Sequence, residues 1–286
     1  MLIRLLPLIA LATLTSSALA ASGTFTRTLT ASDHPDIYVS SGSGNIRIHP
    51  GSGTQVEIVG HVHASWGATG NVQARIDRIV SDPPITQSGD AIHIGESNDR
   101  SLFNNISVDY EVSVPANAAL NLRSGSGDVE AESVGRFLAA SSGSGSVRGH
   151  GIHGPAELET GSGDIELEDT APGNVKTRTG SGSIRVHGID GNFQARTGSG
   201  DIEADGHLTG ASSLATGSGS VRLHLAASSR FNLEAATGSG SIRVNFPGYT
   251  QGNDTGSRHH LTTSINGGGD PIAIRTGSGD IELSAR

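Results

Sequence analysis

The sequence predicts an all-β fold, a single-coil parallel β-solenoid with Gly-Ser-Gly corners. Three observations predict it: the Gly-Ser-Gly tripeptide recurs along the chain, its spacing is nearly constant, and polar and apolar residues alternate on both sides of it. A flexible Gly-rich linker would keep no such spacing, so a structural repeat is indicated. The copies followed by Asp, Asn or Ser begin at Gly42, Gly125, Gly143, Gly161, Gly180, Gly198, Gly217, Gly238 and Gly277.

The spacing of the corners sets the length of a coil. From Gly125 to Gly217 each corner follows the previous one after 18 or 19 residues, and the next step is 21. At about 3.3 Å per residue this length makes one compact circuit, which pairs with the next circuit at about 4.8 Å. The last step, of 39 residues, leaves room for two coils or for one coil with an insertion.

Each repeat has a short strand on either side of its corner. In residues 174–187, Val175 and Thr177 alternate with charged residues before the glycines, and Ile184 and Val186 do so after them. A period of two predicts strands with one buried face. We expect the glycines to adopt positive φ at the corner. We also expect the Thr that precedes most corners to hydrogen-bond to its counterparts along the stack.

The outward positions after the corner alternate in charge from coil to coil. The third residue after the second glycine runs Glu130, Arg148, Glu166, Arg185, Glu203 and Arg222. Opposite charges should therefore lie one strand spacing apart, and a one-coil slip would place like charges together. The alternation fails once along the chain, where Arg243 follows Arg222.

Two further outward columns lie on the same face, because their positions differ by two residues. The fifth position gives a His–carboxylate column, Glu132, His150, Glu168, His187, Asp205 and His224. The first position alternates Asp with Ser, in the order Asp128, Ser146, Asp164, Ser183, Asp201 and Ser220. We expect these columns to be structural ladders of paired side chains.

Residues 21–120 depart from the repeat and should form an N-terminal capping part, continuous with regular repeats over 121–286 in one domain. Strands are predicted around Val56–Ile58, Ala91–Ile94 and Ile106–Val114, and a helical face predicts one short helix near residues 68–80. A cap is needed because an open terminal coil is an unpaired edge. Residues 248–269 are interpreted as a loop or insertion, and little remains to cover the last coil at 281–283.

The first twenty residues are predicted to be a signal peptide. Arg4 precedes an apolar stretch that is too short to span a bilayer, and Ala18-Leu19-Ala20 gives the small-residue pattern of a cleavage site. The chain has no cysteine, so disulfides cannot stabilise it. Its net charge of -9 argues against nucleic acid and anionic membranes as main partners. No later stretch is long and apolar enough to be a transmembrane segment, so we expect a periplasmic or extracellular protein.

The repeat resembles a known bacterial family. The recurrent Ser-Gly-Asp-Ile-Glu and Gly-Ser-Ile-Arg-Val units, and the strand Val-Asp-Tyr-Glu-Val-Ser-Val-Pro at 108–115, are similar to those of the putative-adhesin domains, a β-strand-repeat domain of unknown function. The resemblance covers residues 25–284. It implies an exported β-solenoid and brings no catalytic residues with it.

Four kinds of site can be argued from the residues. Gly-Ser-Gly-Asp superficially resembles calcium turns, but here Asp occupies only alternate coils. The His column offers too few convergent ligands for zinc. Every Glu of the charge ladder has a basic neighbour, which disfavours a general acid, and no serine stands in a nucleophile motif. We therefore expect no cofactor and no metal.

The sequence thus favours an exported, non-catalytic, adhesin-like binding or structural protein of the cell envelope. Its partner would be an envelope or extracellular ligand, either a glycan or a protein. The alternative is a carbohydrate-active enzyme on a parallel β-helix, which would use paired carboxylates. A flat, fully paired face favours the first interpretation, and a cleft of unpaired carboxylates would favour the second.

Overall fold

The computed structural model describes residues 21–65, 70–97, 99–169, 172–249 and 259–286. Within these ranges the chain forms 24 strands in two twelve-stranded sheets, one α-helix and one short 3₁₀ helix. The predicted class, an all-β parallel solenoid, is confirmed. The predicted signal peptide, residues 1–20, lies outside the described residues.

Each coil gives one strand to each sheet, and the corner joins the two. The strands before the corners form the back sheet: β2 (Asp36–Ser41), β8 (Ala119–Ser124), β10 (Phe137–Ser142), β12 (Ala156–Thr160), β14 (Val175–Thr179), β16 (Phe193–Thr197), β18 (Ser212–Thr216), β20 (Phe231–Thr237) and β23 (Asp270–Thr276). The strands after the corners form the front sheet: β3 (Ile46–Pro50), β9 (Val129–Glu132), β11 (Val147–Ile152), β13 (Ile165–Asp169), β15 (Ile184–Gly191), β17 (Ile202–Leu208), β19 (Val221–Leu225), β21 (Ile242–Asn245) and β24 (Ile281–Ala285). Neighbouring coils pair in parallel.

The core lies between the inner faces of the two sheets. Alternate residues of each strand point inward, so Ile165, Ile184 and Ile202 stack on one another in register and are fully buried. Phe193 fills the same interior from the back sheet. The main stabilising term in such a stack is the burial of apolar surface, which contributes about 25 cal/mol per Å².

The corner glycines are needed because the stacked corners approach closely. None of the glycines of the nine Gly-Ser-Gly corners has a positive φ, so the expectation of positive φ is wrong. A Cβ on Gly198 would overlap the carbonyl oxygen of Gly180, and a Cβ on Gly200 would overlap that of Gly182. The backbone of one corner therefore occupies the space that a side chain on the next corner would need.

The hydroxyl before each corner ties neighbouring coils together through the backbone. Thr197 donates to the carbonyl oxygen of Gly182 in the preceding coil (2.8 Å) and accepts from the amide of Gly200 in its own corner (3.1 Å). The same pattern recurs at Ser124 and Thr216. We expected these threonines to hydrogen-bond to one another, but their hydroxyls donate to the carbonyl oxygens of the neighbouring corner instead. The threonines are buried links between coils.

The N-terminal cap extends both sheets beyond the first corner. It is built from β1 (Ser22–Thr30), β4 (Gln55–Ala64), α1 (Val72–Ser81), β5 (Ile85–Ser88), β6 (Ala91–Ile94), the 3₁₀ helix (Arg100–Phe103) and β7 (Ile106–Val114). The coil formed by β6 and β7 pairs in parallel with β2 and β3, although it follows them in sequence. Strands β4, β1 and β5 then add antiparallel edges. The three predicted strands and the predicted helix are confirmed, and α1 packs its Ile76 and Ile79 face on β1 and β4.

The C-terminal coils do not stack in sequence order. Strand β24 pairs with β19 on one side and β21 on the other, and β23 lies between β18 and β20. The last coil of the chain is thus inserted between two earlier coils, so the expectation that it ends the stack uncovered is wrong. The stretch interpreted as a loop or insertion contains β22 (His260–Ile265), which pairs antiparallel with β20 and forms the end of the back sheet.

Candidate functional site

The outer face of the front sheet carries one continuous row of alternating charges. Each Arg of the row except Arg243, which lies on the last strand of the sheet, is in register between two Glu residues of the neighbouring strands. The row extends beyond the predicted residues at both ends and contains ten side chains in the order Glu111, Arg47, Glu130, Arg148, Glu166, Arg185, Glu203, Arg222, Glu282 and Arg243. We call this row the charge ladder.

The break in alternation along the chain disappears in space. Glu282 belongs to the inserted coil and lies opposite both Arg222 and Arg243. Arg222 and Arg243, which occupy consecutive ladder positions along the chain, are therefore separated in space by the Glu282 carboxylate. At the other end, Glu111 of β7 lies beside Arg47 for the same reason: a later coil stacks out of order.

The ladder is held by long, exposed ion pairs. Arg47 lies 3.6 Å from Glu130, and Arg148 lies 3.8 Å from Glu166 and 3.7 Å from Asp128 in the adjacent column. Arg185 is flanked in register by Glu166 and Glu203, but no described carboxylate oxygen lies within 4 Å of it. Exposed pairs of this kind contribute about 0–1 kcal/mol each. We therefore expect the ladder to favour the native register more than it adds stability.

The His–carboxylate column runs parallel to the ladder. His150 lies in register between Glu132 and Glu168, with its Nδ1 3.9 Å from the Glu168 carboxylate. His187 makes a 2.7 Å hydrogen bond to Asp205. His224 lies in register with Asp205 but bonds to the Ser284 hydroxyl, again in the inserted coil, at 2.7 Å.

Asp205 is the most enclosed carboxylate of this column. Its side chain is 16 % exposed and also receives the Arg286 guanidinium at 2.8 Å and the Gly188 amide at 3.2 Å. Burial alone would raise the pKa of Asp205, but the hydrogen bonds from His187 and Gly188 and the charge of Arg286 outweigh it and lower the pKa below the ordinary value.

The Asp–Ser column is explained by backbone hydrogen bonds. A carboxylate oxygen of Asp128 accepts from the amide of Ser146 in the next coil, as Asp164 does from Ser183 and Asp280 from Ser241, at 2.7–2.8 Å. Within the described part of the chain, no three His, Asp or Glu side chains converge on a point that a metal ion could occupy.

Sequence reasoning missed two features. On the outer face of the back sheet Arg178 lies directly opposite Arg196, a like-charge pair in a fold that elsewhere alternates signs. At the N-terminal end of the corner stack lies a cavity of about 650 Å³ lined by Ser40–Ser43, Gly95–Ser97, Phe103 and Tyr110, among others. The signal for the cavity was in the sequence: the coil of β6 and β7 carries Gly95-Glu96-Ser97 instead of a Gly-Ser-Gly corner.

One protein family matches most of the chain, the N-terminal cap included. The family described as Toastrack DUF4097 matches residues 35–284. No curated protein matches the chain.

Solved bacterial structures resemble the fold at low identity. A putative adhesin from Bacteroides fragilis NCTC 9343 is 12% identical, with 91% of this chain and 97% of that chain covered and a TM-score of 0.45. A putative lipid binding protein from Parabacteroides distasonis ATCC 8503 is 14% identical, with 91% and 96% covered and a TM-score of 0.43. A putative cell adhesion protein from Clostridium sporogenes ATCC 15579 is 11% identical, with 93% and 100% covered and a TM-score of 0.28. With identities of 11–14% and TM-scores below 0.5, these structures carry no argument about function.

Proposed function

The chain belongs to the Toastrack DUF4097 family, and from that premise we propose that it is an exported, non-catalytic binding or structural protein of the cell envelope. The observation that carries the proposal is the charge ladder, a row of ten exposed or half-buried charged side chains, one on each successive strand. A repetitive polar face suits many weak contacts in parallel, which gain through multivalency.

The state of the carboxylates supports a non-catalytic role. A general acid for glycoside cleavage needs a carboxyl group with a raised pKa. Among the described residues, the carboxyl groups with a resolved shift are Asp99, Asp205, Glu234 and Asp280, and the pKa of each is lowered. For Glu234 the cause is its hydrogen bond from Arg275, and for Asp280 it is the Ser241 amide.

The partner we propose is an envelope or extracellular glycan or protein, and not a nucleic acid. The net charge of -9 disfavours polyanions. No helix among the described residues is long and apolar enough to cross a membrane. Export rests on the predicted signal peptide.

The test is retention of the purified protein on bacterial envelope fractions and immobilised glycans. We expect retention that weakens with added salt, because exposed charges are screened. Arg148→Ala with Arg222→Ala should reduce it. The matched control is Arg178→Ala with Arg196→Ala, which changes the net charge equally on the opposite face.

Two results would contradict the proposal. Cleavage of any polysaccharide by the protein, abolished by a single Asp or Glu substitution, would establish an enzyme. Equal loss of retention in both double variants would show that the ladder is not the contact face.

A further inference from the structure

The cavity at the N-terminal end of the corner stack, hereafter the end cavity, exists because one corner is missing. Between β6 and β7 the chain passes through the 3₁₀ helix instead of a Gly-Ser-Gly turn. The first corner, at Gly42, therefore has no glycine stacked on its outer side. A Cβ on Gly42 would meet nothing within 4 Å, whereas a Cβ on Gly125 would overlap the Gly42 carbonyl. The end cavity lies where the next corner would have been.

The unfinished stack leaves hydrogen-bond donors without acceptors at this cavity. In later coils the amide of the first corner glycine donates to the neighbouring coil, as Gly125 does to the Ser41 carbonyl (2.9 Å) and Gly143 to that of Ser124 (3.1 Å). The Gly42 amide has no such acceptor among the described residues. Gly42 is exposed at the cavity, so its amide is open to a hydrogen-bond acceptor on a polar ligand.

Tyr110 supplies a second donor. The residue is 2 % exposed, and its hydroxyl oxygen reaches the cavity wall, where a Cβ on Gly95 would lie 3.0 Å from it. The hydroxyl has no hydrogen-bond partner in the part of the chain that the structure describes. Burial raises the pKa of Tyr110, so the group remains a neutral phenol and can donate.

The rest of the lining combines acceptors with apolar surface. The exposed Glu96 carboxylate lies 3.3 Å from the His93 Nδ1, and the His93 ring stacks on Tyr38 at 4.5 Å between centroids. Phe103 adds an aromatic ring. Hydroxyls and apolar side chains complete the wall: Ser40, Ser41, Ser43, Thr86, Ser97, Ile106 and Val108. The described lining contains a carboxylate and no Lys or Arg, which disfavours an anionic ligand.

We propose that the end cavity is a binding site for a neutral saccharide, with room for one or two sugar rings. A saccharide offers hydroxyl groups to the Gly42 amide, the Tyr110 hydroxyl and the Glu96 carboxylate. Its C–H faces suit the Phe103 ring, and a cavity of about 650 Å³ falls within the ordinary range for small ligands. The inference rests on the proposed function, because it assumes that the chain is a binding protein.

The experiment is an NMR titration of the ¹⁵N-labelled protein with cellobiose, maltose and N,N′-diacetylchitobiose. Concentrations should reach about 10 mM, which would saturate a millimolar site. We expect amide shifts concentrated at Gly42, Gly95 and Ser97 with at least one of the three sugars. Tyr110→Phe should weaken binding by about three- to tenfold, the effect of one neutral hydrogen bond. Tyr249→Phe, the same chemical change at the opposite end of the solenoid, should not.

Glu96→Gln is a second variant, at an exposed side chain where loss of folding is not expected, and it should also weaken binding. The proposal is overturned if none of the three sugars shifts these amides, or if Tyr110→Phe and Tyr249→Phe bind equally well. If the protein binds none of the three sugars but is retained on envelopes through its charge ladder, the proposed saccharide site is refuted and the proposed function is not. If sugar binding and envelope retention are both absent, the proposed function is refuted as well.

Discussion

At the scale of single residues, the stacking of corners makes different demands on glycines that look identical in sequence. The glycines in the middle of the stack are enclosed by the backbone of the next corner, whereas Gly42 faces the end cavity. Local reasoning assigns glycine to a turn by its backbone freedom. Here the reason is the separation between coils, which no single repeat reveals.

Gly198→Ala should therefore destabilise the protein by about 1–3 kcal/mol or more, because the new methyl group overlaps the Gly180 carbonyl and forces coils apart. Gly42→Ala is the matched control and should change stability by about 0.5 kcal/mol or less. Urea unfolding followed by circular dichroism measures both. Similar losses in the two variants would show that backbone freedom, and not close approach, is the reason for glycine.

Asp205 should make the stability of the fold depend on pH. Its pKa is lowered in the folded chain, so its contribution is present above the ordinary value of 3.8 and is lost as pH falls through the lowered folded value. Asp205→Asn should cost about 1–3 kcal/mol near neutral pH, since bonds to a charged group are removed. The difference from the unsubstituted protein should shrink when unfolding is repeated below the ordinary pKa.

Asp190→Asn serves as the control for that experiment, because its half-exposed carboxylate bonds to His207 alone among the described groups. It should lose less stability near neutral pH than Asp205→Asn. A constant difference between Asp205→Asn and the unsubstituted protein at every pH would contradict the charge-based explanation.

At the scale of strands, the charge ladder is expected to favour the native strand pairing and its register. Each ion pair is weak, but a slip by one coil would bring like charges together along the whole row. A Ser or Thr hydroxyl, by contrast, precedes the corner in every coil, so the corner hydroxyls would tolerate such a slip. Register is therefore set on the outer face of the front sheet.

Arg185→Glu should destabilise the protein more than Arg185→Ala, by about 0.2–1 kcal/mol for each like-charge contact with Glu166 and Glu203. Adding Glu166→Arg and Glu203→Arg to the Arg185→Glu variant should recover part of the loss, although it creates new contacts with Arg148 and Arg222. Chemical unfolding of the four proteins provides the comparison. Equal effects of Ala and Glu at position 185 would show that the row is not energetically coupled.

At the scale of the whole molecule, the sequence predicted the repeat but not the order of the coils. Alternation, corner spacing and the ladder from Glu130 to Arg222 follow from one repeat applied many times. Glu111 and Glu282 belong to the ladder only because their coils stack out of sequence order, and that stacking depends on contacts between distant parts of the chain. The signal was present as an unmatched pair, Arg222 and Arg243, with the acidic coil at Gly277 available to lie between them.

Engineered disulfides can test the coil order in this cysteine-free chain. Cysteines replacing Ala215 and Arg275, which are paired across neighbouring strands, should form a disulfide. Cysteines replacing Ala215 and Ala236 should not, because two strand spacings of about 4.8 Å exceed the reach of about 7 Å for a disulfide. Stacking in sequence order would reverse these two results, which gel mobility and mass spectrometry can distinguish.

The inserted coil also has a consequence for how the chain is made. Synthesis delivers residues 231–245 before residues 270–285, yet the later segment must lie beneath the earlier one. Premature docking of β21 on β19 would set Arg243 against Arg222, a contact that like-charge repulsion disfavours. Hydrogen exchange on a chain ending at residue 269 should accordingly find residues 231–245 unprotected. The repulsion between Arg222 and Arg243 is therefore expected to disfavour pairing of β21 with β19 before residues 270–285 have been made.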